Sequence, residues 1–599
     1  MQPELETDVL VVGSGPMGGA LALALATYGI RVQVVTRQRW LANTPRAHVT
    51  NQRTMEVLRD LGVEQEVLAK SIPWEQMGDM LFTTSLAGEE IARLRAWGTG
   101  EERNGEYRRG SPCPLVDISQ PYMEPILVKN ALERGAHIRF DTDYLGMRQD
   151  ADGVTVELQD RQTQRPYTAR CRYLVGADGA RSKVAKDIEL PIVGEMDTGA
   201  SAYVTFKADL SHLVEHRPSV LYRILTTAAT GSQIGMGLLR AIRAWDYWIA
   251  GWGFDHRAGL PDLSEEAVRH QVRAFIGIPD IDIEIESVST WMANRAYATH
   301  YTKGRVLCGG DAVHRHPPAS GLGSNTGIQD AFNLGWKLAY VLQGRAAASL
   351  LDTYSDERAP VGRQVVERAS QSRADYGPLN RALHAEGGPE DFHGNVLAKV
   401  FDPSAEGAAL RDEMARALDL KNSEFNAQGV ELNQRYASTA VLAEAGAEPE
   451  AWQRDPQLHL QPTTRPGARI PHAWLADRAG RKLSTLDLVG HGRFTLVTGL
   501  AGGAWAQAVE RLGLPYLTCV TIGTAETRDV YFSWHRLREM DEAGAILVRP
   551  DGFIAWRHAL AERDADEATE QLRAVLLSVL GEPSAASTSM AAVQQMEEA

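Results

Sequence analysis

Residues 8–18, Asp-Val-Leu-Val-Val-Gly-Ser-Gly-Pro-Met-Gly, are the stretch that decides the fold of this chain. The first half is a short, valine-rich apolar run, which is typical of a parallel strand buried on both faces. The second half is a Gly-x-Gly-x-x-Gly turn, and the small residues 20–28 that follow predict a helix ending at Gly29. A second valine-rich run at 31–35 completes a βαβ unit of about 30 residues.

The glycine-rich turn favours dinucleotide binding over a purely structural turn. Gly13 permits the sharp turn after the strand, Gly15 lets the backbone approach a pyrophosphate, and Gly18 allows the helix to pack closely on the strand. The second strand of such a unit usually ends in an acidic residue that binds the ribose. Thr36, followed by Arg37, stands there instead. Both are candidate cofactor-binding residues, and the ribose contact is either made in another way or weaker.

A second glycine-rich segment, residues 310–327 (GDAVHRHPPASGLGSNTG), follows a predicted buried strand at 305–308. The strand delivers Asp311 to its carboxyl end, where α/β sheets bind ligands. The loop then enters a helix predicted from about Gly327 to Leu342, whose first N–H groups suit the electron-rich edge of a flavin. The alternative is a plain loop with a capping aspartate. His314 and His316 resemble a metal pair only superficially, so no metal is expected.

Composition excludes several classes of protein. For 599 residues, about 150 per domain predicts roughly four folding units. The 62 Lys and Arg against 77 Asp and Glu give a net charge of −15, which argues against sequence-independent nucleic-acid binding. Four widely spaced cysteines form neither a disulfide framework nor a CxxC site. Neither a basic leader nor a long apolar run is visible, so we expect no membrane insertion and a cytoplasmic location.

The two motifs, together with GADGARS at 176–182, resemble in order and spacing those of the FAD-dependent aromatic hydroxylases, the single-component flavoprotein monooxygenases. The resemblance covers residues 5–375 strongly. Residues 44–56 (TPRAHVTNQRTME) and 84–90 (TSLAGEE) are most similar to the chlorophenol and phenylphenol hydroxylases of that family. The region from about Pro466 resembles the thioredoxin-like C-terminal domain of phenol hydroxylases; because it lacks CxxC, we expect it to be redox-inert.

The resemblance implies an α/β chain, α+β overall, with a Rossmann-like FAD-binding domain, an inserted antiparallel-sheet substrate domain and a thioredoxin-like C-terminal domain. The expected FAD-binding segments are 1–75, 115–195 and 291–375. The substrate-sheet segments are 76–114 and 196–290, the latter rich in strand-forming residues. A helical connector is expected at 376–455, the thioredoxin-like domain at 456–580 and a disordered tail at 581–599.

The resemblance also implies the residues that hold FAD. Arg46 and Gln120 match positions that contact it, and the planar fork of Arg46 suits a pyrophosphate. Asp178 matches an aspartate associated with the pyrophosphates of FAD and NAD(P)H, and Asp311 one that binds the ribityl or ribose group. The positions that match the flavin-ring loop are Pro318, Gly321, Gly323, Ser324 and Asn325.

Three residues are candidates for catalysis. His48 matches a position beside the substrate hydroxyl, and a neutral imidazole there is able to accept the proton of a phenol. The alternative for His48 is a histidine packed near the cofactor. Asp117 is a candidate to orient that imidazole or a water, and a strand or turn cap is the alternative. Arg243, in the expected substrate sheet, is a candidate to stabilise the phenolate, and a surface ion pair is the alternative.

The implied activity is hydroxylation of a chlorophenol- or phenylphenol-type substrate ortho to its hydroxyl, giving a catechol. NAD(P)H, with NADPH favoured, reduces FAD, and O2 reacts to a flavin C4a-hydroperoxide that donates the oxygen. Since no second dinucleotide fingerprint is present, NAD(P)H is expected to bind transiently. A homodimer is expected from the relatives. The same flavin chemistry on a hydroxybenzoate or polyketide, or a non-catalytic redox-responsive flavoprotein, stays open as an alternative.

Overall fold

The computed structural model describes residues 4–225, 236–384, 392–444, 446 and 448–581. The predicted disordered tail, apart from its first residue, lies outside the described residues. The strands are β1 (Leu5–Val12), β2 (Val32–Val35), β3 (Val49–Thr50), β4 (Met80–Thr83), β5 (Glu90–Leu94), β6 (Val116–Asp117), β7 (His137–Arg139), β8 (Thr142–Gln149), β9 (Val154–Asp160), β10 (Pro166–Gly176), β11 (Ile192–Lys207), β12 (Leu221–Leu225), β13 (Met236–Arg243), β14 (Tyr247–Phe254), β15 (Glu284–Ala298), β16 (Thr302–Lys303), β17 (Val306–Cys308), β18 (His314–Arg315), β19 (Trp474–Ala476), β20 (Lys482–Ser484), β21 (Phe494–Gly499), β22 (Leu517–Ile522), β23 (Ala545–Val548) and β24 (Ile554–His558).

The α-helices alternate with these strands in the first part of the chain and dominate the connector before β19. They are α1 (Pro16–Thr27), α2 (Gln52–Asp60), α3 (Glu64–Lys70), α4 (Trp74–Met77), α5 (Glu101–Gly110), α6 (Gln120–Glu133), α7 (Lys183–Asp187), α8 (Ser211–Val214), α9 (Glu265–Ile276), α10 (Gly323–Leu342), α11 (Asp352–Ala374), α12 (Gly377–Ala382), α13 (Phe392–Val400), α14 (Ala405–Leu420), α15 (Asn422–Phe425), α16 (Gln428–Leu432), α17 (Gly503–Leu512), α18 (Ser533–Leu537) and α19 (Ala565–Leu580).

The first sheet has a parallel core in the order β17, β10, β1, β2 and β7, as the valine-rich runs predict. Its central strand β1 is buried along its second half, and α1, α6 and α10 pack against one another beside it. The antiparallel pair β8 and β9 extends β10. The predicted βαβ unit is confirmed, and the helix predicted from Gly327 begins four residues earlier, at Gly323.

The second sheet has eight strands in the order β18, β15, β11, β14, β13, β12, β4 and β5. It is antiparallel except where β12 runs parallel to β4, and this pairing joins the two predicted substrate segments. The expected boundaries at 195/196 and 290/291 both fall inside strands, β11 and β15. These strands are 16 and 15 residues long, belong to the second sheet along their whole length and pair with each other.

The C-terminal sheet has the order β22, β21, β23 and β24. The pair β21 and β22 is parallel and is connected through α17, whereas β23 and β24 form an antiparallel hairpin followed by α19. This βαβ unit followed by ββα is a thioredoxin-like topology. In the described parts of the chain, no helix combines the length and apolar character needed to cross a bilayer.

A fully buried ionic network joins the C-terminal sheet to α10 and α11. Arg549, just after β23, donates to Glu357 Oε1 and Oε2 at 2.6 and 2.8 Å. Arg549 also donates to both carboxylate oxygens of Asp551, and Lys337 Nζ lies 2.7 Å from Glu357. Arg53 of α2 donates to the carbonyl of Asp551. Because unpaired buried charges are costly, this network fixes the position of the C-terminal unit on the first sheet.

Candidate active site

A cavity of about 490 Å³ lies between the carboxyl ends of the first sheet and one face of the second sheet. The loops after β1, β10 and β17 reach it through Gly15, Ala177 and Asp311. The second sheet contributes apolar side chains to the other wall, Leu238 and Trp252 among them. This is the place where α/β sheets bind ligands, and the second sheet closes it over.

The glycine-rich turn after β1 has the geometry that its sequence predicts. Gly13 has a φ of +108°, and a Cβ there would lie 2.2 Å from the carbonyl oxygen of Ala177. A Cβ on Gly18 would lie 2.0 Å from the carbonyl oxygen of Gly13. A Cβ on Gly15, by contrast, would meet only Glu124, at 3.9 Å, in the space of the cavity. The backbone at Gly15 is therefore open to close approach by a ligand.

Seven of the residues predicted to hold the cofactor also border the cavity. Arg46 and Asp311 are exposed toward it, so a positive and a negative side chain are both available to a polar ligand. Gln120, at the start of α6, has its amide held by Glu124. The backbone nitrogen of Gln120 donates to the carbonyl of Arg46 at 2.9 Å, which ties the two segments together. The remaining members are Pro318, Gly321, Gly323 and Ser324.

Besides Gly13, Gly18 and Asn325, three predicted cofactor residues do not border the cavity. Thr36 is buried at the end of β2, and its hydroxyl accepts a hydrogen bond from the backbone of Gln38. The side chain of Arg37 is 71% exposed and lies 4.0 Å from Asp143. Asp178 accepts hydrogen bonds from the Ser182 hydroxyl and from two backbone N–H groups of α7, so its carboxylate caps that short helix. Its neighbours Ala177 and Gly179 border the cavity instead.

Asn325 lies outside the cavity lining and acts as a clamp. Its amide nitrogen donates to the carbonyls of Val49 and Gly321, both at 2.7 Å, and its oxygen accepts from the backbone of Asn51 at 3.0 Å. The side chain is 1% exposed, so its hydrogen-bonding groups are used within the protein. Asn325 therefore joins the loop before α10 to the segment that carries His48.

His48 and Asp117 are brought together by the short β3–β6 pair. Val49 pairs with Asp117, and Ile118 N–H donates to the carbonyl of His48 at 2.8 Å. The His48 ring borders the cavity, and its Nδ1 lies 3.4 Å from Asp117 Oδ1. Their side chains are 8% and 0% exposed. The orientation of His48 by Asp117, predicted from the sequence, is therefore geometrically available.

Arg240 of β13 completes this group, with its guanidinium donating to Asp117 Oδ2. Burial and the positive charge of Arg240 lower the pKa of His48, and Asp117 offsets this only in part. Burial alone would raise the pKa of Asp117, but Arg240 and His48 hold it below the ordinary value. His48 is therefore neutral near pH 7, beside an ionised Asp117–Arg240 pair.

The predicted role of Arg243 is wrong, because its side chain is 54% exposed and pairs with Asp246 at 2.7 Å. Arg243 does not border the cavity, whereas Arg240 does. Alternate side chains of a strand point to opposite faces, and an irregularity in the β13–β14 register lies between Ala241 and Arg243. The arginine that faces the site is thus three residues earlier in the same strand.

The two histidines of the second motif do not form a metal pair. His314 is fully buried with its Nε2 2.7 Å from Asp330, which also accepts from Arg358. His316 borders the cavity and its Nδ1 lies 2.7 Å from the carbonyl of Pro317. Burial lowers the pKa of His316. Among the described residues, no three His, Cys, Asp or Glu side chains converge as a metal site.

Several polar side chains of the cavity were not predicted from the sequence. Arg240 had a usable signal, because it interrupts an apolar alternation with Met236 and Leu238 on one face of β13. The others come from elements that are distant in sequence, so no local pattern marks them. They are Tyr203, Arg223, Arg373, Tyr376 and Glu424.

The fold and the site together define a class of protein: a dinucleotide-binding sheet whose glycine-rich loops face a buried His–Asp–Arg group, in which the β3–β6 pair carries His48 and Asp117 and the second sheet carries Arg240. Residues 6–369 match the family model described as FAD binding domain, and residues 463–583 match that of the aromatic-ring hydroxylase C-terminal domain. The chain belongs to the FAD-dependent aromatic-ring hydroxylases. The resemblance seen in its motifs is thus confirmed, and FAD is its cofactor.

Particular relatives are similar along almost the whole chain. The 2,4-dichlorophenol 6-monooxygenase of Delftia acidovorans is 45% identical, covering 96% of this chain and 98% of that protein. The phenol 2-monooxygenase of a Pseudomonas species is 48% identical, covering 92% and 90%. Among solved structures, the flavin-dependent monooxygenase PieE, in complex with FAD and substrate, has a TM-score of 0.91 and 40% identity, covering 97% and 100%.

Proposed function

We propose that this protein is a phenol monooxygenase that uses NAD(P)H and O2 to hydroxylate a phenol ortho to its hydroxyl, giving a catechol. The observation that carries the proposal is the neutral, buried His48 held between Asp117 and the cavity, with Arg240 beside it. This group deprotonates a phenol and stabilises the resulting anion. Relatives named for phenol and dichlorophenol support the same substrate class.

The residues present fit FAD. The open backbone at Gly15 and the start of α1 suit a pyrophosphate, and Arg46 supplies a guanidinium at the same cavity. Asp311, exposed at the end of β17, suits a hydroxyl-bearing chain, and Gly321 to Ser324 suit the flavin ring. When bound there, FAD supplies hydride acceptance from NAD(P)H and activation of dioxygen.

The residues of the chain make the phenol ring nucleophilic. With Nδ1 of His48 turned toward Asp117, the other ring nitrogen, Nε2, is the acceptor for the phenol proton. A phenol has a pKa of about 10, so near pH 7 it is almost entirely neutral without such a base. The proton then rests on His48 Nε2, and the resulting imidazolium is stabilised by the Asp117 carboxylate.

The cavity walls exclude water and hold the ring in place. Leu221, Met236, Leu238 and Ile249 present apolar side chains on the face of the second sheet that carries Arg240. In so apolar a surrounding, the attraction between Arg240 and a phenolate is stronger than in water. Exclusion of water from the cavity also keeps activated oxygen from being lost as hydrogen peroxide.

The decisive experiment measures NADPH and NADH oxidation by the purified yellow protein with and without a simple phenol, with catechol and peroxide quantified. Phenol-stimulated oxidation that yields an ortho-dihydroxy product supports the proposal. If the phenol stimulates coenzyme oxidation but only peroxide forms, the site binds that phenol without hydroxylating it, and this result contradicts the proposed substrate class. A protein that oxidises neither coenzyme with any phenol is the non-catalytic flavoprotein, and the proposal is then wrong.

We favour NADPH over NADH, a cytoplasmic setting that supplies this coenzyme, and a homodimer; all three stay predictions. Their support is indirect and consists of the habits of the family. The same assay with both coenzymes, and the mass of the protein in solution, test the first and the third.

A further inference from the structure

One buried carboxylate holds both ends of the turn that presents Asp311 to the cavity. Asp330 lies inside α10 and is 0% exposed. Its Oδ2 accepts a hydrogen bond from the backbone N–H of Gly310 at 3.0 Å and lies 2.7 Å from His314 Nε2. Gly310 directly precedes Asp311, and His314 follows it by three residues. A single oxygen therefore closes the turn around Asp311.

The same turn packs closely against the glycine-rich loop after β1. Gly310 has a φ of +61°, and a Cβ there would lie 3.0 Å from the Cβ of Met17. A Cβ on Gly309 would lie 2.4 Å from Met17 Cε. Met17 also borders the cavity, two residues after Gly15. Because the turn has little free space on this side, the position of Asp311 depends on the group that closes the turn.

Arg358 of α11 holds the Asp330 carboxylate in place. Its Nε donates to Asp330 Oδ1 at 2.7 Å, and its Nη2 donates to the carbonyl of Thr326, in the first turn of α10, at 3.3 Å. Burial alone would raise the pKa of Asp330, but Arg358 and His314 hold it below the ordinary value. The carboxylate is therefore ionised, and hydrogen bonds to an ionised acceptor are about twice as strong as neutral ones.

A chain of buried contacts extends from Arg358 to the C-terminal unit. Nη1 of Arg358 donates to the Tyr436 hydroxyl at 3.0 Å. The Tyr436 ring stacks on Phe553, in the β23–β24 hairpin, with ring centres 3.9 Å apart and 21° between the planes. Among the residues that the structure describes, none after Phe425 borders the cavity. Any influence of the C-terminal unit on a bound ligand therefore passes through contacts of this kind.

We propose that Asp330 is a positioning residue for FAD: with Arg358, it fixes the turn from which Asp311 binds the hydroxyl-bearing chain of the cofactor. This proposal rests on the proposed function, because it assumes that FAD lies in the cavity with this chain at Asp311. Asp330 does not border the cavity, so it acts through Asp311 and not by contact with the ligand. The C-terminal unit, which keeps Arg358 in place through the Tyr436 ring, then contributes to FAD retention without touching the cofactor.

The test is a titration of FAD into the full-length apo-protein, followed by flavin fluorescence. Asp330→Asn keeps the size of the side chain and removes its charge, and we expect the Kd of FAD to rise by about 10- to 100-fold. Asp311→Ala should weaken binding by a similar factor. In the Asp311→Ala background, Asp330→Asn should change the Kd by less than about 2-fold, because the turn then presents no carboxylate to FAD. This lack of additivity is expected only if Asp330 acts through Asp311.

Lys337→Met is the matched control, because it removes one member of another buried ion pair between α10 and α11. Lys337 Nζ lies 2.7 Å from Glu357, the residue before Arg358. We expect a lower free energy of unfolding, with the Kd of FAD changed by less than about 2-fold. If Asp330→Asn behaves in the same way, its role is structural and the proposal is overturned.

Hydroxylation of a simple phenol at saturating FAD separates this proposal from the proposed function. If phenol is hydroxylated but the effects of Asp330→Asn and Asp311→Ala add, or Asp311→Ala leaves the Kd unchanged, the positioning role is overturned and the proposed function stands. If the wild type hydroxylates no phenol, the proposed function fails, while the FAD titrations still decide the positioning role. Should Asp330→Asn not fold, Tyr436→Phe replaces it: a rise in Kd that is absent from the Asp311→Ala background supports the proposal, and an unchanged Kd overturns it.

Discussion

Replacing His48 by alanine tests the proton-acceptor role most directly, because the size of the defect depends on the acidity of the substrate. A phenol with a pKa of about 10 is ionised to about one part in 1000 near pH 7. Without the base, the rate on such a phenol falls by up to about 1000-fold, which is about 4 kcal/mol at about 1.36 kcal/mol per decade. A phenol with a pKa of about 7 is already half ionised, so its rate falls only about 2-fold.

The assay follows catechol formation in a single turnover with a series of phenols of similar bulk and decreasing pKa. FAD content is measured alongside, because His48→Ala should lower hydroxylation far more than it lowers FAD binding. His48 and Gly15, whose backbone is proposed for the pyrophosphate, belong to different loops of the cavity. Arg243→Ala serves as the control, since that side chain is exposed and paired with Asp246.

The proton-acceptor role of His48 is refuted if the rate defect of His48→Ala has the same size across the whole series of phenols. A uniform defect means that His48 positions the ring or packs against it, and that another group receives the proton. If the defect disappears once the rates are corrected for FAD content, His48 has a cofactor-binding role instead.

Three further predictions follow from buried charges. Because burial and Arg240 lower the pKa of His48, the acid limb of kcat/KM should lie below the ordinary histidine value of about 6.5; a limb above that value contradicts a neutral His48. Arg549→Met leaves the carboxylates of Glu357 and Asp551 buried without this cation, so the free energy of unfolding should fall by about 3–5 kcal/mol. The measurement is the midpoint of denaturant unfolding, which should be lower than in the wild type. An unchanged midpoint would refute this prediction. Burial raises the pKa of Glu431 to about 8, so the folded state holds this proton more tightly than the unfolded chain does. The free energy of unfolding of the wild type should therefore fall as the pH rises from about 5 through about 8, and Glu431→Gln should abolish that fall. If the melting temperatures of the two proteins change equally with pH, this prediction is contradicted.

The first sheet was predictable because its signals are local. The valine runs of β1 and β2 and the turn at Gly13 lie within one short segment, and period and turn chemistry identify them without any tertiary information. Asp311 and Arg46 were found in the same way, since each sits in a motif with its own loop. The ends of the long strands β11 and β15 were not predicted, because the expected boundaries fall inside continuous extended segments that carry no turn signal.

The polar wall of the cavity was less predictable because it depends on strand pairing. Arg223 faces Arg240 only once β12 and β13 are in register, and Tyr376 arrives from a helix junction about 150 residues further along the chain. Arg243 was predicted to face the substrate, whereas Arg240 of the same strand does so. A shift of an odd number of residues turns a side chain to the other face of a strand, and the sequence alone does not show which face is turned to the cavity. The role of Asn325 in the flavin loop stays a prediction, and the targets of its amide are fixed by tertiary packing.

The network around Glu357 also bears on how the chain tolerates shortening. Lys337 and Glu357 belong to the helices that follow the cavity loop, yet the strongest partner of Glu357, Arg549, is supplied by the final folding unit. Removing that unit would take Arg549 and Asp551 away together and leave Lys337 as the cationic partner of Glu357, so a truncated variant should have a lower free energy of unfolding than the full chain. The terminal unit, although it lacks a redox-active cysteine pair, thus supplies an electrostatic partner to the coenzyme-binding half.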